Sequence, residues 1–323
     1  MDERPEQIDH FEVEEHEGPV SIDALGEARR VKQAEKTESS MKVEFGSRRG
    51  RLVSHFVYWG IHASCLFALY TGVDATDVAL CLGAFWVRMF GITGAFHRYF
   101  SHRTYKTSRA FQFVLAWVGT SAVQKGPLWW AGVHRLHHRY SDTPDDPHSP
   151  REGFWHAHQG WIFNGRWDDT RTDLVRDLAK YPELVWVNKY HFVPPILWAV
   201  ACTLIGGFSG LIWGTVISTV ILWHATYSIN SLAHRIGRPR YETGDDSKNS
   251  WLLALLTLGE GWHNNHHFHQ SSTRQGFYWW EIDITYYALL GLAKVGLVWD
   301  LKEPPARVFA PQTSSEEPLR EAA

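Results

Sequence analysis

Nine of the 19 histidines in this 323-residue chain fall into four compact groups. His97 and His102 stand in HRYFSHR, His134, His137 and His138 in HRLHHRYSD, His234 at the end of NSLAH, and His263, His266 and His267 in GWHNNHH. The HxxHH spacing occurs twice. On a helix, positions i, i+3 and i+4 share a face, so each HxxHH group is expected to project its imidazoles toward one point. His97 and His102 are five apart and diverge on a regular helix, which predicts a helix end or break there. Neutral imidazoles packed without a cation waste acceptor lone pairs and repel once protonated, whereas a metal ion takes those lone pairs directly. Nine ring nitrogens exceed the roughly four to six ligands of one ion, so two metals are implied, and imidazole does not choose among Fe, Zn, Cu and Ni.

The remaining histidines read differently. His55, His62, His191 and His224 lie singly in apolar segments, as core or interface residues do, and His148, His156, His158 and His269 lie near the groups without joining them. Asp142, Asp145, Asp146 and Glu260 stand close enough in sequence to accept the free N–H of a ligand histidine and fix its tautomer, or else serve as loop charges and helix caps.

Long apolar segments must carry these groups to one place. Leu52 to Val73 contains no Asp, Glu, Lys or Arg, and about 20 apolar residues at a 1.5 Å rise cross a roughly 30 Å hydrocarbon core. Val78 to Phe96 follows a GVDAT connection and carries only Arg88, which must face protein, water or the interface. Tyr190 to His234 runs 45 residues without Asp, Glu, Lys or Arg, interrupted by Gly206, Gly207 and Gly210 where a hairpin fits. Four spans are expected, at about 52–73, 78–97, 191–208 and 211–233. Arg48, Arg49 and Arg51 precede the first, Arg98, Arg103, Lys106 and Arg109 follow the second, and the turn between has no basic residue, so both flanks are expected to face the cytoplasm.

Ala110 to Val133, with Lys125 as its only charge, also resembles a span by hydropathy. If His97 and His102 share a centre with His134, His137 and His138, however, this stretch begins and ends on one membrane face, and it is too short to cross twice. It is expected to lie in the interface or to dip and return, anchored by Trp117, Trp129, Trp130 and Lys125. Phe277 to Trp299, apolar but carrying Glu281, Asp283 and Lys294, is expected as a membrane-lying or cap-packed helix.

Composition narrows the function. A net charge of −3 offers no global basic field for nucleic acid. Cys65, Cys81 and Cys202 lie far apart in apolar stretches, as small buried residues rather than bridges. The opening 40 or so residues are charged, poor in aromatics and without the apolar core of a secretory signal, so they read as a mobile tail.

HRYFSHR as HxxxxH, HRLHHRYSDTPDDPHSP as HxxHH with a DPH-S tail, GEGWHNNHH as a second HxxHH and NSLAH as NSxxH together resemble a membrane fatty acyl desaturase. The likeness is to the acyl-CoA Δ9 (stearoyl-CoA) desaturase family in a bacterial form, over about Arg49 to Asp300. It implies an all-α integral membrane protein: four transmembrane helices and a cytosolic helical cap holding a non-heme di-iron site. Carried over by position, the metal ligands are His97, His102, His134, His137, His138, His234, His263, His266 and His267, with Asn230 reaching a metal through water. The organisation implied is a disordered tail over 1–45, a desaturase domain over 46–302 with its cap at about 98–190 and 235–302, and a flexible tail over 303–323.

The reaction implied is O2-dependent: two delivered electrons and O2 remove two hydrogens from neighbouring methylenes, giving a cis double bond and two waters, with no catalytic side chain beyond the metal centre. Tyr227, next to Thr226, stands where animal members place a tryptophan beside the bend of the acyl tunnel, and Thr226, Tyr227 and Lys125 are the candidate substrate contacts. Acyl-CoA is the favoured substrate, acyl-lipid the other. Neither an HPGG nor a GxGxxG element occurs, so electrons are expected from a separate protein such as a ferredoxin or a cytochrome b5-like protein with its reductase. The expected location is a bacterial inner membrane, with the site and both termini cytoplasmic. The alternatives are a related di-iron hydroxylase and a non-enzymatic metal-binding membrane protein.

Overall fold

The computed structural model describes residues 48–309, so the tail expected over 1–45 lies outside the described residues. The fold is mostly helical; among the described residues one two-stranded ladder pairs Lys106–Thr107 antiparallel with Val298–Trp299. Three helical segments are long and apolar enough to cross a membrane: Leu52–Thr71, Ala75–Ser101 and Val193–Ser231, of 20, 27 and 39 residues. The first overlaps α1 (Arg48–Ser64), and the second contains α2 (Ala75–Phe90) followed by a π-helix over Gly91–Ser101. Phe56, Leu69 and Leu204 on these segments are 77, 86 and 82% exposed, side chains that only an apolar medium would cover.

Asp74 and Asp77 start α2 with a reciprocal capping box, at 2.9 and 3.1 Å. Asp77 also accepts from Ser209 Oγ at 2.7 Å, and Trp213 Nε1 donates to the Gly72 carbonyl at 2.9 Å. The turn between the first two segments therefore meets the middle of the third. There the third segment breaks: within α3 (Val193–Leu211), Gly207 adopts φ 61° and ψ −147°, which a residue without Cβ reaches without strain. Past the break the chain doubles back, with Trp198 Nε1 donating to the Gly214 carbonyl at 3.1 Å, and it ends in α4 (Ser218–Ser231). Arg88, fully buried, ties α2 to this returning arm through Thr219 Oγ1 at 2.7 Å and Ser218 Oγ at 2.5 Å.

Ala110 to Val133 folds back on itself. One helix, Arg109–Thr120, runs antiparallel to the π-helix: Tyr99 donates to Gln112 at 2.9 Å, and a Cβ on Gly91 would lie 2.8 Å from the Gly119 amide. After a turn with Val123 and Lys125 at positive φ, the helix Pro127–Tyr140 returns past Phe96 and His97. Phe96, Phe100, Leu128 and Leu184 fill the core between these layers. Of the tail expected over 303–323, residues 303–309 are packed: Tyr286 donates to Glu303, and Tyr241 donates to the carbonyl of buried Val308 at 2.7 Å. Residues 310–323 lie outside the described residues.

Candidate metal centre

The nine histidines converge at one end of the helices as two clusters. His97, His102, His134, His138 and His266 form one, His137, His234, His263 and His267 the other, and within each the ring nitrogens lie within 4.8 Å of one another. The expectation that each HxxHH group aims at a single point is corrected here. His134 and His138, one helical turn apart, join the same cluster, whereas His137 turns to the other; His263 and His267 likewise part from His266. Adjacent helical residues diverge by about 100°, so each box bridges both clusters instead of serving one. His97 sits in the π-helix, whose end at Ser101 matches the expected helix end.

The rings present lone pairs to one another. Nε2 separations are 3.0 Å for His97–His266, 2.9 Å for His266–His138, 3.0 Å for His138–His134, 2.8 Å for His134–His102 and 3.1 Å for His234–His263. Behind them, carboxylates hold the Nδ1–H of four rings: Asp146 on His137 at 3.0 Å, Asp142 on His234 at 3.0 Å, Asp245 on His267 at 2.6 Å, and Glu260 on His97. That tautomer leaves Nε2 as the acceptor facing the cluster. His267 Nε2 is buried without a partner, the mark of an atom awaiting a cation. This donor set fits metal ions.

Electrostatics point the same way. Burial, then neighbouring imidazoles, hold His102, His134, His138, His263 and His266 well below the ordinary histidine value. Burial lowers His267 to about 4 despite Asp245; burial pulls His137 down too, but Asp146, with Asp142 and Asp245, outweighs it and the net shift is upward. Against burial, His234 holds Asp142 below the usual carboxylate range and His267 does so for Asp245.

Among the acids singled out by sequence, Asp142, Asp146 and Glu260 stand behind ligands, while Asp145 instead accepts from Arg166 at the surface, at 2.9 Å. Asp245 was missed, as was buried Arg98, which pairs Glu260 at 3.1 Å and Asp283 at 2.9 Å. His148 packs against His137 with its ring tilted by 36° and centroids 4.3 Å apart, and His158 contacts His224 at 2.9 Å and Ser231 at 2.9 Å. His269 faces Arg307 and Ser271.

A cavity of about 110 Å³ opens beside the centre, lined by His134, His148, Asn230, Tyr227, Thr226 and Lys125 among others. In its wall Gln124 donates to Thr226 Oγ1 at 3.1 Å and accepts from Trp130 Nε1 at 3.3 Å. Lys125 lies in the wall, paired with Asp168 at 3.1 Å and 4.3 Å over the Trp129 ring; burial lowers its pKa against the pull of Asp168.

Residues 76–298 match the fatty acid desaturase family, a stretch that holds all but Ala75 of the second long apolar segment, the whole of the third, both clusters and the cavity lining. The chain belongs to this family. As a fatty acid desaturase it is an oxidoreductase of lipid metabolism. It is 38% identical over 256 residues to an acyl-CoA 5-desaturase of Anemone leveillei, covering 76% of this chain and 77% of that one. It is 36% identical over 253 residues to an sn-1 stearoyl-lipid 9-desaturase of Anabaena variabilis, covering 77% and 93%. To a hex-5-enoyl-[acyl-carrier protein] acetylenase of Moorena producens it is 34% identical over 301 residues, covering 85% and 94%. The three names carry three acyl carriers.

Proposed function

We propose that this desaturase inserts a cis double bond, at Δ9, into a saturated fatty acyl chain, using O2 and electrons from a separate donor protein. The observation that carries the reading is two histidine clusters, four of whose nine rings are held by carboxylates, with a narrow, largely apolar cavity that reaches His134 of one of them. In this reading the nine clustered histidines hold two irons and Asn230, in the cavity wall beside His134, reaches one through water. When bound, the irons supply the O2 chemistry that activates an unactivated C–H bond.

The chain's own part is positioning. Gln124, Thr226 and Trp130 fix the width of the cavity, and Tyr227 and Val133 give it apolar walls, so the methylenes that reach the centre are chosen by fit. Apolar walls also keep water from the reacting carbon. The Δ9 position follows the Anabaena relative's name, and acyl-CoA is favoured over acyl-lipid as substrate. Four spans are proposed because the third long segment reverses at Gly207, with the remaining chain as a cytosolic cap.

Expression in a host lacking Δ9 monoenes, with lipids examined by gas chromatography, tests this. New cis-Δ9 monoenes are expected. Hydroxylated products point to a hydroxylase, and an unchanged profile in the presence of iron and a working donor overturns the reading.

A further inference from the structure

The two clusters are not backed alike. Three of the four rings in the His137, His234, His263 and His267 cluster donate Nδ1–H to a carboxylate, namely Asp146, Asp142 and Asp245. The three side chains are themselves held by the loops that carry them. The Asp142 and His148 amides donate to Asp146 at 2.9 and 3.1 Å, the Asp246 amide to Asp142 at 2.6 Å, and Thr243 Oγ1 to Asp245 at 2.7 Å. Amides and hydroxyls orient these acids without cancelling their charge.

Among the five rings of the other cluster, only His97 has a carboxylate, Glu260, and that charge is shared with the Arg98 guanidinium at 3.1 Å. His138 Nδ1 and His266 Nδ1 are buried with no partner. One cluster therefore has three carboxylates on its ligand rings, the other only Glu260, which shares Arg98 with Asp283. A carboxylate on Nδ1–H raises the basicity of the ligating nitrogen, and each adds attraction for a dication across a poorly screened interior.

We infer that the two metal sites are built unequal: the four-histidine site fills first and empties last, and Asp142, Asp146 and Asp245 are the positioning residues that set this order. The inference rests on the two-metal reading above. It follows that a chain carrying one ion holds it at the four-histidine site.

The full-length protein in detergent, stripped by chelator, is titrated anaerobically with cobalt(II), following visible absorption and metal content after dialysis. Two steps are expected, with two ions bound at saturation. Asp245→Asn keeps a hydrogen-bond acceptor but removes the charge; it should weaken the tighter step by about 10- to 100-fold and leave the weaker one in place. Asp245→Glu should restore the tighter step, and Glu260→Gln should move only the weaker. Two equivalent ions, or a loss confined to the weaker step in Asp245→Asn, overturns the inference while leaving two metals in place. Saturation at one ion instead overturns the two-metal reading, and the inference with it.

Discussion

The His102 amide donates to the His97 carbonyl at 3.2 Å, a bond that reaches back five residues and closes a π-turn. At 3.6 residues per turn, side chains five apart point about 140° away from each other. Closing the turn over five residues stacks them instead, and the two rings stand 4.9 Å apart between centroids in the same cluster. The HxxxxH spacing thus reads as a ligand pair only on a helix of this pitch.

Since His137 and His138 are neighbours that serve different clusters, single substitutions should separate the sites. His137→Ala and His266→Ala are each expected to lower product formation at least about 100-fold while the protein still fractionates with membranes, because each removes a metal ligand. Metal analysis should show the loss falling on a different site in each. Retained activity in either variant takes that residue out of the centre.

Much of this was legible in the residue order. The histidine groups announced themselves by spacing, and the reversal near Gly206 and Gly207 by glycines inside a charge-free run. The return of Ala110 to Val133 followed from requiring its two ends to share a site. What spacing hides is direction. Counting i, i+3 and i+4 as one face overlooks the turn between His137 and His138. Asp245 lies 22 residues from its histidine in a loop whose course no periodicity fixes. Lys125 read as an interfacial anchor and substrate contact because its partner, Asp168, is brought to it only by the fold.

Acid should destabilise the metal-free protein over a defined range. His267 titrates near 6.5 when unfolded and at about 4 when folded, so between those values the unfolded chain binds more protons. Stability is therefore full above about pH 6.5 and falls as pH drops toward 4, by about 3 kcal/mol from this ring alone. Thermal midpoints of stripped protein across pH 4 to 7 check it; a flat or rising trend toward acid contradicts the buried neutral ring.

Gln124 joins Thr226 to Trp130 in the cavity wall. Thr226→Val keeps the volume but leaves the Gln124 amide unpaired, at a cost of about 1–3 kcal/mol. A displaced Gln124 changes where an acyl chain stops. Gas chromatography with mass spectrometry of the products should show a mixed double-bond position or chain length. An unaltered product at reduced yield assigns the pair to stability alone.

The stretch proposed as a cap carries apolar surface that water does not suit. Trp251, Leu252 and Leu255 on the helix Trp251–Leu256 are 70, 52 and 54% exposed, and Trp279 and Ile282 are 81 and 55% exposed. The two segments are neighbours, since the Thr285 amide donates to the Leu258 carbonyl at 2.8 Å and Trp262 Nε1 to the Ile282 carbonyl at 2.8 Å. Tryptophans beside aliphatic side chains suit the headgroup boundary of a bilayer, and the stretch Phe277 to Trp299 was expected to lie there or to pack in the cap. A nitroxide on Trp279→Cys in nanodiscs should be relaxed more by oxygen than by a water-soluble nickel chelate, whereas one on Glu242→Cys, exposed on the same cap, should show the reverse. Equal nickel access at both positions means that this surface meets water or protein and that the cap stands clear of the lipid.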